Sequence, residues 1–226
     1  MVSMQSARVG QYTVWYENAE EFYELKKEIF TEHRYYVEFE KLNPVIVDLG
    51  AHIGMTTLYF KRLYPTARIL AYEPVADNFL LLDKNVRENG LETVELVGAA
   101  VAPKSGKIGL HVPVAGGWKS GSGIMPHGWR GVQETGEVEV EAQGIREVLQ
   151  GPIDLVKMDI EGMEYEVIEG ADWSNVKNLI VEVHPRKGKR IEEIEKKLRS
   201  ANFALERRAD ESRYGDGLVM LYGRKN

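Results

Sequence analysis

The stretch PVIVDLGAHIGMTTLYF, residues 44–60, constrains the fold more than any other part of the chain. Its short apolar run, residues 45–47, carries β-branched side chains and predicts a buried strand. Asp48 ends the strand, Gly50 and Gly54 bracket a tight turn, and apolar residues then resume at helical spacing. A strand, a glycine turn and the start of a helix predict a nucleotide site at the carboxyl edge of an open α/β sheet.

The spacing of this turn favours one kind of ligand. A dinucleotide fold uses G-x-G-x-x-G, whereas this chain has D-x-G-x-x-x-G. Asp48 would repel a pyrophosphate but suits a ligand with an ammonium and a sulfonium, such as S-adenosylmethionine. Glu73, 19 residues after Gly54 and at the end of the next predicted strand, could accept hydrogen bonds from ribose hydroxyls. The alternative is that both acids are ordinary strand-end residues.

Composition narrows the function classes. The chain has 226 residues, enough for a single α/β domain, and its net charge of −6 makes a nucleic-acid partner unlikely. The absence of cysteine excludes disulfides, a thiolate zinc site and a cysteine nucleophile. Apolar runs fall short of the roughly 18 residues that span a membrane. No signal-peptide pattern opens the sequence, so a soluble cytoplasmic protein is expected.

The pattern along the chain alternates strands and helices from residue 45 onward. Strands are predicted at 12–16, 45–48, 68–73, 93–98, 107–112, 137–142, 153–158 and 178–183, and helices at about 54–64 and 75–89. Asn18 with Glu21 indicates a capped helix inside an extension, residues 1–43, which should pack on the core. The segments FALERRA and GLVMLYG should pair as a terminal hairpin.

A glycine-rich stretch at residues 113–131 interrupts this alternation. Long irregular loops in small domains are usually functional or disordered. Because disordered segments are poor in aromatic residues, Trp118 and Trp129 favour a loop that faces the substrate. A merely mobile insertion is the alternative.

Four blocks of sequence resemble the FkbM family of class I S-adenosylmethionine-dependent methyltransferases. They are VDLGAHIGMTTLYF, AYEPVADNFLLLDKNVRENGL, VGAAVAPKSGKIGLHV, and IDLVKMDIEGMEYEVIEGA with IVEVHP. The block KMDIEGMEYEVIEG is the most specific of them. Two segments depart from the family pattern: His52 stands where Asn is common, and QGIREVL replaces a usual "T-L-D-x-L".

The resemblance implies a Rossmann-like α/β fold, with a seven-stranded, mostly parallel sheet, an antiparallel last strand and helices on both faces. It implies O-methylation of a sugar, lipid or other small molecule. By the same resemblance, the residues around the cofactor should be Asp48, Gly50, Ala51, His52, Gly54, Glu73 and Asn78, with Gly98 and Ala99 near the adenine.

An alcohol acceptor needs a general base or a metal ion. Asp159, Glu161 and His184 follow the fourth and fifth core strands and are the candidate catalytic residues. A metal-free route, in which Glu161 or His184 takes the acceptor proton directly, is preferred. In the alternative, Asp159 and Glu182, with or without His184, hold a divalent ion such as magnesium. Two other functions stay open: a tRNA methyltransferase and a non-catalytic cofactor-binding module.

Overall fold

The computed structural model describes residues 4–114, 121–124, 135–209 and 217–225. Trp118 and Trp129, on which the loop prediction depends, lie outside these ranges. The strands are β1 (Gln5–Val9), β2 (Tyr12–Tyr16), β3 (Val45–Leu49), β4 (Arg68–Tyr72), β5 (Val94–Val97), β6 (Ala100–Ala102), β7 (Gly106–Pro113), β8 (Thr135–Gly144), β9 (Ile153–Met158), β10 (Val176–Val183), β11 (Ala204–Ala209) and β12 (Val219–Arg224). The helices are α1 (Ala19–Lys26), α2 (Met55–Leu63), α3 (Ala76–Glu88), α4 (Ile145–Val148), α5 (Glu164–Gly170) and α6 (Ile191–Ser200), and a π-helical turn, Lys27–Thr31, continues α1.

The main sheet has seven strands in the order β11-β12-β10-β9-β3-β4-β5. Strands β10, β9, β3, β4 and β5 pair in parallel. The last strand, β12, is inserted between β10 and β11 and runs antiparallel to both. This topology confirms the expected Rossmann-like fold and the antiparallel pairing of the C-terminal segments. It also brings the carboxyl ends of β3, β4, β9 and β10 to one edge.

Alternate residues of the central strands enter two different cores. Ile46 of β3 packs with helices α2 and α3, whereas its neighbour Val47 packs on the opposite face with α5 and α6. Because successive side chains of a strand point to opposite faces, a strand buried on both sides is apolar throughout. The sheet is therefore covered by helices on both faces, as expected.

The N-terminal segment packs on the α2–α3 face of the sheet. Asn18 caps α1, because its side chain accepts a hydrogen bond from the backbone N–H of Glu21 at 3.1 Å. Phe22 stacks on Tyr16 with ring centroids 4.2 Å apart, and both belong to the core cluster that contains Ile46. This packing places the end of α1 and the π-helical turn beside the carboxyl edge of the sheet.

A second sheet of three strands, in the order β6-β8-β7, stands beside the main one. Its strands β7 and β8 match the predicted strands at 107–112 and 137–142. The sequence pattern did not indicate β1 or β6; β6 is three residues long, too short to show any periodicity. Among the described helices, none combines the length and apolar character needed to cross a membrane.

Candidate active site

The glycine turn after β3 is held tightly between two neighbouring strand ends. The N–H groups of Gly50 and Ala51 both donate to the Tyr72 carbonyl, at 3.0 and 2.9 Å. Gly50 has φ +76°, and a Cβ at this position would lie 1.8 Å from the carbonyl oxygen of Asp159. Only glycine can therefore bring the β3 turn this close to the end of β9.

Glu73 closes the other side of this turn. Its carboxylate accepts hydrogen bonds from the backbone N–H groups of His52 and Val75, each at 2.9 Å, and lies 3.3 Å from the amide nitrogen of Asn78. Burial raises the pKa of the Glu73 carboxyl above its ordinary value, against the opposing effect of His52 and of these hydrogen bonds. Three contacts leave a lone pair free for a ligand, because a carboxylate offers about four acceptor sites.

Asp48, which was expected around the cofactor, does not line the cavity. Its side chain is fully buried and accepts hydrogen bonds from Thr56 and Thr57 at 2.6 and 2.9 Å. Its other oxygen lies 3.3 Å from the ammonium of Lys157. Asp48 thus ties the end of β3 to the first turn of α2 and to β9.

Lys157 is buried within β9 and paired with Asp48. Its ammonium donates to the carbonyl oxygens of Gly50 and Leu49 at 2.6 and 3.2 Å. Burial alone lowers the pKa of Lys157, but Asp48 and then Asp159 outweigh it, and the pKa is raised above its ordinary value. The charged lysine therefore fixes the carbonyl groups of the glycine turn.

The other expected cofactor residues fall into two groups. Ala51, His52, Asn78 and Ala99 line the same cavity as Gly50 and Glu73. Gly54 and Gly98 are not in its lining: Gly54, with φ +91°, starts α2 and packs on Leu82, while Gly98 faces the ring of Phe79.

The turn after β9 carries two carboxylates into this cavity. Asp159 and Glu161 both line it. The Oδ1 atom of Asp159 is buried and has no hydrogen-bond partner within the described ranges. Glu161 adopts φ +50°, a left-handed conformation that is uncommon outside glycine, and Gly162 follows with φ +104°. Such strain persists only where the surroundings enforce it, and it marks candidate functional positions.

His184 lies behind Glu161 and outside the cavity lining, so the expected role of direct base is not the one its position supports. Its Nε2 is 3.2 Å from Glu161 and its Nδ1 is 2.9 Å from Glu164, which is fully buried. Burial lowers the pKa of His184, but Glu161 and Glu164 raise it more, and the result is well above the ordinary value. The imidazole lies between the two carboxylates and orients Glu161.

Three residues of the N-terminal segment complete the site, and sequence reasoning missed all of them. Glu28 and Tyr35 line the cavity, and Arg34 lies 3.4 Å from Glu28 and 3.5 Å from Glu182. The signal was present in EIFTEHRYY, where charged residues interrupt the apolar face of a helix. Only the packing of this segment on the sheet shows that Glu28 and Arg34 face inward, whereas Glu32 is exposed.

The described part of the long loop also contributes to the wall. Ser122 and Ile124 line the cavity, and the N–H of Ile124 donates to the Glu161 carbonyl at 3.3 Å. A Cβ on Gly123 would lie 2.2 Å from the same carbonyl oxygen. Glycine is therefore required where the loop touches the strained turn. The empty space of the whole cavity, counted out to its open mouth, is about 970 Å³.

The ligand atoms of Asp159, Glu182 and His184 lie within 4.8 Å of one another, a spacing that could suit one metal ion. Their chemistry fits an ion poorly. Both nitrogens of His184 face carboxylates, and Glu182 already interacts with Arg34 and with the hydroxyl of Tyr35. Metal ligation by histidine needs a neutral ring nitrogen with a free lone pair.

The turn fits S-adenosylmethionine by its shape and by its polar groups. Gly50 leaves no room for a side chain, Glu73 keeps acceptor capacity, and the Nδ1 atom of His52 is buried with no hydrogen-bond partner in the part of the chain described. The sheet topology and this turn define a class I S-adenosylmethionine-dependent methyltransferase.

Comparison with known proteins gives the family. The chain belongs to the FkbM methyltransferase family, because the family model for the "Methyltransferase FkbM domain" matches residues 48–205. The methyltransferase sdnD of Sordaria araneosa is 32% identical, over 90% of this chain and 89% of that protein. The 31-O-demethyl-FK506 methyltransferase FkbM of Streptomyces tacrolimicus is 29% identical, over 76% and 78%.

The fold is also found in solved structures. The crystal structure of TYW2 from M. jannaschii, in complex with AdoMet, matches with a TM-score of 0.54 over 99% of this chain and 86% of that one. Its sequence identity is 14%, so this likeness concerns the fold alone.

Proposed function

We propose that this protein transfers a methyl group from S-adenosylmethionine to a hydroxyl oxygen of a small molecule such as a sugar, a lipid or a natural product. The observation that carries the proposal is the Oδ1 atom of Asp159. It is buried in the cavity wall, beside the cofactor turn, and no donor among the described residues reaches it. A buried acceptor of this kind costs free energy unless a ligand supplies the donor. The O–H of an alcohol is such a donor.

The cofactor, when bound, supplies an electrophilic methyl group. The residues that would hold it are Gly50, Ala51, His52, Glu73, Asn78 and Ala99. Asp159 accepts the hydrogen bond of the acceptor hydroxyl and takes its proton as the new bond to oxygen forms. Glu161, oriented by His184, is the second carboxylate in reach of the acceptor, and the surrounding apolar side chains exclude water.

The lining of the cavity favours an uncharged acceptor over a nucleic acid. Within the described residues it contains the carboxylates of Glu28, Glu73, Asp159, Glu161 and Glu182, and a single lysine, Lys157. A phosphate group entering this space would meet like charges. The name of the Streptomyces relative, which specifies an O-methyl acceptor, also supports oxygen as the methylated atom.

The described part of the long loop, residues 121–124, and the N-terminal segment supply the acceptor side of the cavity in this proposal. Ser122 and Ile124 come from the loop, and Leu25, Glu28 and Tyr35 come from the N-terminal segment. These two segments are the parts whose exchange should change which acceptor is methylated.

The experiment that tests the function is a transfer assay with methyl-labelled S-adenosylmethionine. The acceptors are methyl glycosides, 31-O-demethyl-FK506, glycerol, fatty alcohols and tRNA. Label in a hydroxyl compound, located on oxygen by mass spectrometry, supports the proposal. Label in tRNA alone, or cofactor binding without transfer to any hydroxyl compound, contradicts it.

Replacing Glu73 with alanine should weaken S-adenosylmethionine binding about 10- to 150-fold. The lost charge-assisted hydrogen bond is worth about 1.5–3 kcal/mol. Calorimetry measures the affinity, and Glu92→Ala, on an exposed residue between α3 and β5, is the control. An unchanged affinity in Glu73→Ala would remove this residue from the cofactor site.

Chelation should leave methyl transfer unchanged, because Arg34 and Lys157 already balance much of the negative charge around Asp159 and Glu182. Activity is measured after dialysis against a chelator and again after addition of magnesium or manganese. Activity that returns only with the ion would establish the metal-assisted route and exclude the metal-free one.

A further inference from the structure

Tyr35 occupies an unusual position for a residue outside the segment that matches the family. The family match begins at residue 48, whereas Tyr35 comes from the stretch between the π-helical turn and β3. Its ring is buried, and it lines the cavity. The hydroxyl has one proton, and both Oε2 of Glu182, at 3.2 Å, and Oδ2 of Asp159, at 3.5 Å, lie within reach of it as acceptors. One phenol therefore stands between the carboxylates at the ends of β9 and β10.

We infer that Tyr35 is a positioning residue for methyl transfer: its hydroxyl holds the Asp159 carboxylate so that the other oxygen, Oδ1, is left for the acceptor hydroxyl. This inference rests on the proposed function, in which Asp159 takes the acceptor proton. The active site of this chain is then incomplete without Tyr35, which lies before the residues that match the family model.

The charges around Tyr35 explain why a hydroxyl is needed there. Glu182 and Asp159 repel each other. Two cations lie near them: Arg34 is 3.5 Å from Glu182, and the ammonium of Lys157 is 5.6 Å from the centre of the Tyr35 ring. The single proton of the hydroxyl is shared by the two carboxylates, and it attracts Asp159 more weakly than Glu182, because 3.5 Å is long for a hydrogen bond. Without the Tyr35 hydroxyl, we expect the Asp159 carboxylate to rotate away from the acceptor.

The hydroxyl is also a permanent donor. Burial, followed by the charges of Glu182 and Asp159, raises the pKa of the Tyr35 phenol well above its ordinary value. Tyr35 is therefore not a base for the reaction, and its contribution is the placement of a neighbour.

The test uses Tyr35→Phe, which removes one oxygen and keeps the buried ring. We expect kcat to fall about tenfold, equivalent to about 1.4 kcal/mol. The dissociation constant of S-adenosylmethionine and the thermal midpoint should stay near the wild-type values, because Arg34 still pairs with Glu182. The acceptor is the hydroxyl compound with the highest wild-type turnover in the transfer assay. The matched control is Tyr36→Phe, which removes the same oxygen from a neighbouring side chain that is 51% exposed.

A double-mutant cycle with Asp159→Asn separates positioning from a general effect on the fold. If Tyr35 acts through Asp159, then Tyr35→Phe costs nothing further in the Asp159→Asn background. Full activity of Tyr35→Phe would overturn the inference, as would a loss of activity that adds to that of Asp159→Asn.

The activities of the wild-type protein and the variants distinguish failure of the proposed function from failure of the role of Tyr35. Wild-type protein that transfers no label to any hydroxyl compound overturns both statements. An Asp159→Asn variant with full activity removes the assigned base, and the role of Tyr35 with it. An impaired Asp159→Asn beside a fully active Tyr35→Phe overturns only the role of Tyr35.

Discussion

Replacing Gly50 with alanine should abolish binding of S-adenosylmethionine and destabilise the fold by about 4–5 kcal/mol or more. The new Cβ would lie 1.8 Å from the Asp159 carbonyl oxygen, so β3 and β9 would have to separate at their carboxyl ends. Left-handed backbone strain adds about 1–2 kcal/mol. Denaturant unfolding measures the stability, and calorimetry measures the affinity.

Gly90→Ala is the matched control for this prediction. Gly90 also has a positive φ, +64°, but a Cβ there would meet no heavy atom within 4 Å. This variant should lose only the strain, about 1–2 kcal/mol, and should bind the cofactor normally. If Gly50→Ala behaves like Gly90→Ala, the close contact between the glycine turn and Asp159 does not exist in solution.

The second large effect is expected at Asp159. Asp159→Asn should lower kcat by about 10²- to 10⁴-fold, the usual contribution of a positioned general base, while cofactor affinity stays near the wild-type value. An amide keeps the size of the side chain but cannot take up the proton of the acceptor. Single-turnover transfer of labelled methyl measures the chemical step, and calorimetry confirms that the variant is folded.

Two further variants define the specificity of this effect. Glu169→Gln, on an α5 side chain that is 75% exposed, removes an acid of the same region without touching the cavity and should be fully active. Glu161→Gln distinguishes the role of Glu161 from that of Asp159 in the same turn. A full loss in Glu161→Gln together with an active Asp159→Asn would assign the proton acceptor to Glu161.

Much of the fold could be read from the sequence because its signals are local. The β-branched run of β3, the glycines of its turn, and Asn89 with Gly90 after α3 are each determined within a few residues. The resemblance to the FkbM family also predicted the seven-stranded, mostly parallel sheet with its antiparallel last strand. The three-residue strand β6 was missed because so short a strand has no period to detect.

The site was predicted in part, for a related reason. Strand-end residues such as Glu73, Asp159 and Glu161 could be placed from the pattern, since parallel strands end at a common edge. The sequence could not show which of the side chains at the strand ends face the cavity and which face the protein interior. Asp48 is turned to Lys157 and the threonines of α2, and His184 is turned to Glu161 and Glu164.

The sequence by itself determined the α/β class of the fold, the glycine turn and the carboxylates at the strand ends, because short-range sterics and hydrophobic periodicity encode them. Only the tertiary structure decided which groups meet. Tyr35 contacts Glu182, which lies 147 positions further along the chain. Gly50, after β3, lies against the carbonyl of Asp159, after β9. Contacts between residues so far apart arise from packing on the sheet, and no local pattern records them.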